Sequence, residues 1–217
     1  MHFDDPVKLE EYLAPVGGEV FIRPAFGSVF NAEICLNRLN HTGFFEVSAN
    51  SFKVEKEPQG EFYGLTIPLS ASFSVSETGR DHVYDSSSAY LLLPGRPFDF
   101  TAKRKCHSLV TNFFVKPIAD YSKKLLQADS CDFPEKSSNV SFLTQTGSDL
   151  LRSIAKSWSV LNKKAPSNEI ILQELEDELL ANFVLYSSEG VNIGNNRKHD
   201  NPRHLNRAEE FICGNLH

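Results

Sequence analysis

Residues 63–75 alternate with a period of two. Tyr63, Leu65, Ile67, Leu69, Ala71, Phe73 and Val75 are apolar or aromatic, and the residues between them are Gly64, Thr66, Pro68, Ser70, Ser72 and Ser74. Successive side chains of a strand point to opposite faces, so this spacing predicts a half-buried strand with one apolar side. A polar turn follows at 76–81, and an apolar segment, Tyr90-Leu91-Leu92-Leu93, stops at Pro94-Gly95-Arg96-Pro97. Pro pre-sets φ at the first central position of a type II turn and Gly accepts a positive φ at the second. Strand, turn, strand and Pro-Gly corner imply a small antiparallel barrel or sandwich.

The rest of the first half repeats the pattern. Strands are predicted over 19–24, 28–36, 44–54, 98–100 and 108–116, giving about seven or eight in all, spaced by turn signals. The chain carries 17 Phe against one Met and one Trp. Placed on alternating strands, these rings imply an interior filled by aromatic side chains.

A short helix is predicted over 6–15, from Val7, Leu9, Tyr12 and Leu13. At Pro117 the period changes to that of a helix, and Pro is tolerated in a first turn, where its missing N–H has no helical partner. Ile118, Tyr121 and Leu125 form the buried side of that helix, and a loop is expected at 129–139. Leu150, Leu151, Ile154, Ala155, Trp158 and Leu161 then mark an amphipathic helix, and Leu172, Leu175, Leu179 and Phe183 mark another over about 167–186. The short break between them predicts an antiparallel helical hairpin. The fold class is therefore α+β, a barrel or sandwich followed by helices. From 189 the chain turns to Asn, Gly and basic residues, the composition of an exposed linker, before a new amphipathic stretch at 205–216.

Composition narrows the function. The net charge of −6 argues against a broad grip on nucleic acid, which needs clustered Lys and Arg. Cys35, Cys106, Cys131 and Cys213 are scattered without a CxxC pair, which favours free thiols in a reducing cytosol over disulfides. The amino end has neither a basic start nor an apolar core, so a signal peptide is not expected, and no run approaches the ~18 apolar residues of a membrane span. A cytoplasmic protein without a membrane partner is the expectation. The tripeptides at Asn40 and Asn139 are then chance matches to the glycosylation signal.

Arg207-Ala208-x-x-Phe211-Ile212-x-x-Asn215-Leu216 resembles the first helix of the helix-turn-helix domain of AraC-type transcriptional regulators. Tyr63-x-Leu65-x-Ile67-Pro68-Leu69-Ser70, the Leu93-Pro94-Gly95-x-Pro97 corner, and a barrel-exit strand followed by a helical hairpin are similar to the AraC-binding-like sensor domain of that family. The resemblance implies a cupin-like barrel over 1–116 that binds a small effector. It further implies a helical dimerisation region over 117–188, a linker over 189–203, and over 204–217 the start of a DNA-reading domain that the sequence does not carry further. DNA contact then belongs to that missing domain, and a homodimer is expected.

A cupin-like shell invites a search for metal ligands, since a cupin enzyme needs two or three His with a carboxylate converging inside. His82 and His107 are the candidates, with no His-x-His pair. No Gly-x-Ser-x-Gly elbow or phosphate loop is present, so no catalytic residue, metal ligand or cofactor is assigned. A metal-dependent cupin-type enzyme and a filled-barrel interaction module remain the alternatives. For an effector pocket the candidates are Phe45, Tyr63, Ile67, Phe73 and Phe113 as inward faces, with Arg23 to meet an anionic effector. For dimerisation they are Trp158, Leu172, Leu175, Leu179 and Phe183. The effector is not identified.

Overall fold

The computed structural model describes residues 1–17, 19–25, 29–56, 62–77, 80–126, 138–163 and 168–192. The elements run β1 (His2–Phe3), α1 (Pro6–Gly17), β2 (Val20–Pro24), β3 (Ala32–Arg38), β4 (Thr42–Ala49) and β5 (Phe52–Lys56). There follow β6 (Phe62–Ser70), β7 (Phe73–Glu77), β8 (Arg80–Tyr84), β9 (Ser88–Leu92), β10 (Phe98–Ala102) and β11 (Cys106–Phe114). The chain then forms α2 (Val115–Leu126), β12 (Ser138–Ser141), α3 (Gln145–Leu161) and α4 (Glu169–Asn192).

All the strand pairs are antiparallel and fall into two sheets. The larger has the order β1-β3-β4-β11-β6-β9-β12 and the smaller β2-β5-β10-β7-β8. The class is α+β, and the shell is a sandwich of two separate sheets rather than one closed barrel. The chain passes repeatedly from one sheet to the other, among other places between β4 and β5, between β6 and β7, and between β10 and β11.

The alternation over 63–75 predicts one strand; the structure shows two, in different sheets. They part at Ala71, whose φ of 59° is left-handed. The 44–54 segment likewise divides, at Asn50-Ser51, into β4 and β5. The corner at Ala71 leaves the apolar alternation intact, so residues 63–75 read as continuous, whereas across Asn50-Ser51 the inward set shifts from Phe45, Val47 and Ala49 to Phe52 and Val54. The Pro94-Gly95 corner is as expected: Gly95 has φ 72°, and the Arg96 N–H donates to the Leu93 carbonyl at 3.2 Å.

Two cores result. One lies between the sheets and holds Phe30, Ile34, Phe52, Phe73, Tyr84, Tyr90 and Phe100. The other lies between the outer face of the larger sheet and the helices, and holds Phe44, Tyr63, Leu65, Leu109, Phe113, Ile154, Trp158, Leu179 and Phe183. Each such side chain contributes about 1.5–3 kcal/mol on burial. α3 and α4 are antiparallel: Asp149 O accepts from Asn182 Nδ2 at 3.5 Å, and one turn or two along, Lys156 meets Glu178 at 2.6 Å. The carboxyl end of α3 is tied to the sheet by Asn37 Nδ2, which donates to Asn162 Oδ1 at 2.7 Å.

α4 continues through Asn192, so its last turn occupies residues whose composition reads as the start of a linker. The rest of the expected linker, the start of the helix-turn-helix domain, Cys131 and Cys213 lie outside the described residues. Of the other thiols, Cys35 is exposed, Cys106 is buried, and both are free.

Candidate functional site

The central strands of the larger sheet, β6 and β11, are covered on both faces, by the helices on one side and by the smaller sheet on the other. Their two sets of side chains therefore do different work. On β11, Leu109 and Phe113 enter the helical core, while Cys106, Ser108, Val110 and Asn112 look toward the smaller sheet. On β6, Tyr63, Leu65 and Ile67 enter the helical core, while Phe62, Gly64 and Thr66 look inward.

The inward side chains leave a cavity of about 150 Å³ between the sheets. β4 adds Phe45 and Val47 to the same wall, and β9 adds Leu92. The facing wall is Phe52 and Val54 of β5 with Phe98 and Phe100 of β10, and Leu13 of α1 and Val20 of β2 complete the border. One wall thus mixes polar residues with Phe45, Phe62 and Leu92, and the other is wholly aromatic and aliphatic. Phe52 and Phe98 each lie within 6 Å of Phe100, at centroid distances of 5.5 and 5.8 Å, so the aromatic wall is a continuous set of rings.

Asn112 occupies a particular place in this wall. It is in register with Gly43 on β4 and with Gly64 on β6, so neither flanking strand puts a side chain beside its carboxamide. A Cβ at position 64 would lie 3.3 Å from Asn112 Oδ1, tighter than an ordinary contact. Cys106 Sγ and Ser108 Oγ are 3.3 Å apart, and burial pushes the Cys106 thiol above its ordinary pKa, with the Ser108 contact acting weakly the other way. The thiol is therefore neutral at physiological pH.

The residues that sequence reasoning nominates divide. Phe45 borders the cavity. Phe73 is buried between the sheets, stacked on Tyr84, but off the cavity border. Tyr63, Ile67 and Phe113, expected to face inward, lie on the opposite side of their strands, against the helices. The reason is the double cover of β6 and β11: the greasier face of each strand packs the helical layer, and the face lined with small and polar residues borders the cavity. Arg23 is on the outside of the smaller sheet, with a side chain 70% exposed and paired with Glu55 at 3.2 Å. Gly64, Thr66, Ser108 and Asn112 escaped notice, although small polar residues recurring within strands that stop at neither face were a signal available in the sequence.

The dimerisation candidates are spent within the chain. Trp158, Leu175, Leu179 and Phe183 are buried, and Leu172 packs partly buried beside them. Trp158 meets Phe44 at 6.0 Å between ring centroids, and Phe183 meets Tyr63 at 5.5 Å. That stripe docks the hairpin on the sheet.

His82 is exposed on β8, and His107 lies on the outer face of β11 with Nε2 2.6 Å from Glu46 Oε1, so the two do not converge. Among the described residues, no three His, Cys, Asp or Glu are grouped to hold a metal ion. Among them, too, no helix is long and apolar enough to cross a membrane.

The family model for the AraC-binding-like domain matches residues 16–185, which take in most of both sheets and the helical layer. The chain belongs to the AraC-binding-like family. As an AraC-binding-like domain it superposes on the crystal structure of the AraC-like transcriptional activator CuxR with a TM-score of 0.62 at 14% identity, over 100% of this chain and 78% of that one. At that identity the likeness concerns the fold. Two more distant matches are the EutQ protein of Clostridium difficile (TM-score 0.35, 7% identity, 39% of this chain and 69% of that one) and a cupin domain of an XRE-family regulator from Enterobacter cloacae (0.32, 10%, 43% and 95%). Neither is close enough to carry an argument. Among curated proteins no sequence match is found.

Proposed function

We propose that this AraC-binding-like domain is the sensing region of a cytoplasmic transcription regulator, in which a small molecule held between the sheets sets the posture of the helices. The observation that carries the reading is the cavity of about 150 Å³, bordered by strands whose other faces hold the helical layer. β11 presents Asn112 to the cavity and its neighbour Phe113 to Phe183 of α4. A ligand that shifts β11 therefore shifts the seat of α4, the helix that leads toward residues 193–217. A DNA-reading domain attached there would receive the change.

The role is regulatory rather than catalytic. The reading also pairs the chain with a second copy. Because the Trp158–Phe183 stripe is occupied, the apolar surface left on α4 among the described residues is Ile170, Ile171 and Leu185, all exposed. Sedimentation of the wild-type chain against Ile171→Glu tests that part: a dimer that the substitution dissolves supports it, and a monomer at every concentration removes it.

The sensing claim is tested by filling the cavity. Val110 sits on a central strand yet is only half-buried, because it borders the open space. Ligands that bind the native state raise the unfolding midpoint by mass action. In a thermal-shift screen of small metabolites, hits should lose their effect in a folded Val110→Phe protein. Hits that act equally on both proteins would place binding elsewhere and overturn the reading.

A further inference from the structure

The walls of the cavity say what kind of molecule it suits, an inference that rests on the sensing reading above. Among the described residues, none of the side chains that border it is charged, and the Cys106 thiol is neutral. A charge moved from water into such a space without a counter-ion loses its hydration and gains nothing in return. Anionic and cationic ligands are therefore disfavoured. The exposed position of Arg23, paired with Glu55, leaves it no part in the cavity.

The cavity is not uniformly apolar either. Asn112 and Thr66 are each only 7% exposed, and Ser108 5%. Among the described residues, the Asn112 carboxamide and the Thr66 hydroxyl make no side-chain hydrogen bond, and Ser108 Oγ has only the Cys106 thiol beside it. Buried polar groups are nearly always paired with protein or with water. The carboxamide borders the cavity, where water reaches it, and glycines on both neighbouring strands keep its flanks clear. Those are the conditions for a hydrogen-bonded partner that arrives from outside the chain.

Size narrows the choice. Pockets for drug-sized ligands run to roughly 300–1,000 Å³, whereas an apolar cavity of about 150 Å³ accepts benzene. The space here, about 150 Å³, belongs with the second. The aromatic wall of Phe52, Phe98 and Phe100 offers edges and faces to a ring.

We propose that the cavity takes an uncharged ligand about the size of one aromatic ring, with one amide-like or hydroxyl end that hydrogen-bonds to Asn112.

Three probes of nearly equal shape separate the terms: benzamide, toluene and benzoate. They are titrated into the 217-residue chain by calorimetry, with the unfolding midpoint followed in parallel. Benzamide should bind at least tenfold more tightly than toluene, because only it satisfies the carboxamide. Benzoate should bind at least tenfold more weakly than benzamide. In Asn112→Ala, benzamide should fall to the level of toluene, while toluene itself changes less than threefold. Gly64→Ala, whose new methyl would press on Asn112 Oδ1, is a second variant that keeps the side chain itself. It should weaken benzamide more than toluene.

Benzoate binding as well as benzamide, or both variants weakening benzamide and toluene alike, would overturn the proposed ligand class while leaving the cavity as the ligand site. If none of the three binds, the proposed ligand class falls, while the sensing reading stands or falls separately on the Val110→Phe comparison.

Discussion

Phe113 of β11 and Phe183 of α4 stack with ring centroids 4.2 Å apart and planes inclined by 20°. Both are fully buried, and the pair joins the strand that borders the cavity to the last described helix. Phe183→Ala should cost about 3–5 kcal/mol, the range for removing a buried ring. Urea unfolding of the two single variants and the double Ala variant should show a coupling of about 0.5–1.5 kcal/mol. Strict additivity would mean that the stack contributes only as buried area.

Glu176 is a carboxylate buried on the inner side of α4. Its Oε1 accepts from the backbone N–H of His41, in the turn between β3 and β4, at 2.6 Å, and its Oε2 has no partner among the described residues. Glu176→Ala deletes the acceptor and opens a hole, for an expected loss of about 2–4 kcal/mol. Glu176→Gln keeps an acceptor at the same place, so it should lose less than half as much. Equilibrium denaturation distinguishes the two; equal losses would show that the carboxyl group itself is needed.

The start of α3 is built on two small residues. Thr144 caps the helix by accepting from the Gly147 N–H at 3.1 Å, and a Cβ at Gly147 would fall 2.0 Å from the Ser141 carbonyl oxygen. Thr144→Ala should cost about 1 kcal/mol, as lost caps do. Gly147→Ala should cost more, because backbone rather than a flexible side chain stands in the way, and overpacking typically costs about 1–3 kcal/mol. Thermal unfolding gives the ranking, and a harmless Gly147→Ala would contradict the close approach.

Ala71 stands at the corner between β6 and β7 with φ 59°. An L-residue pays about 1–2 kcal/mol for that conformation, and glycine pays about 0.5–1 kcal/mol in chain entropy instead. Ala71→Gly should therefore be neutral to about 1 kcal/mol stabilising, and Ala71→Val clearly destabilising, since a β-branched side chain tolerates the left-handed region worst. Both are read from the denaturation midpoint; the opposite order would mean that the corner is held otherwise.

Tyr84 gives the fold an alkaline limit. Burial, with the Glu77 carboxylate as the lesser cause, pushes its phenol from 10.0 up to about 12. The folded state therefore keeps the proton in a range where the unfolded chain has released it. The contribution of Tyr84 is complete below pH 10 and is lost as pH rises from about 10 to about 12. Midpoints measured across that window should fall more steeply in the wild type than in Tyr84→Phe. Parallel curves would mean that the phenol ionises as easily folded as unfolded.

The strands and helices were legible because each buries a face with its own period. The Pro94-Gly95 turn was legible because its two residues have narrow backbone preferences. The corner at Ala71 was not, since it interrupts the backbone without disturbing the alternation of side chains. Nor were Gly64, Thr66, Ser108 and Asn112. In an isolated sheet the apolar face is the inner one, and that rule assigned Tyr63, Ile67 and Phe113 to the cavity. It fails where a third layer covers the sheet.

The helices and most of the strands followed from local periodicity and turn chemistry, and the family resemblance from particular motifs, all of which are written residue by residue. Which side of β6 and β11 looks into the cavity was decided by the packing of α3 and α4 on the larger sheet. That packing depends on contacts between residues far apart in the chain, and an alternating pattern records that a strand has two faces without recording what lies against each.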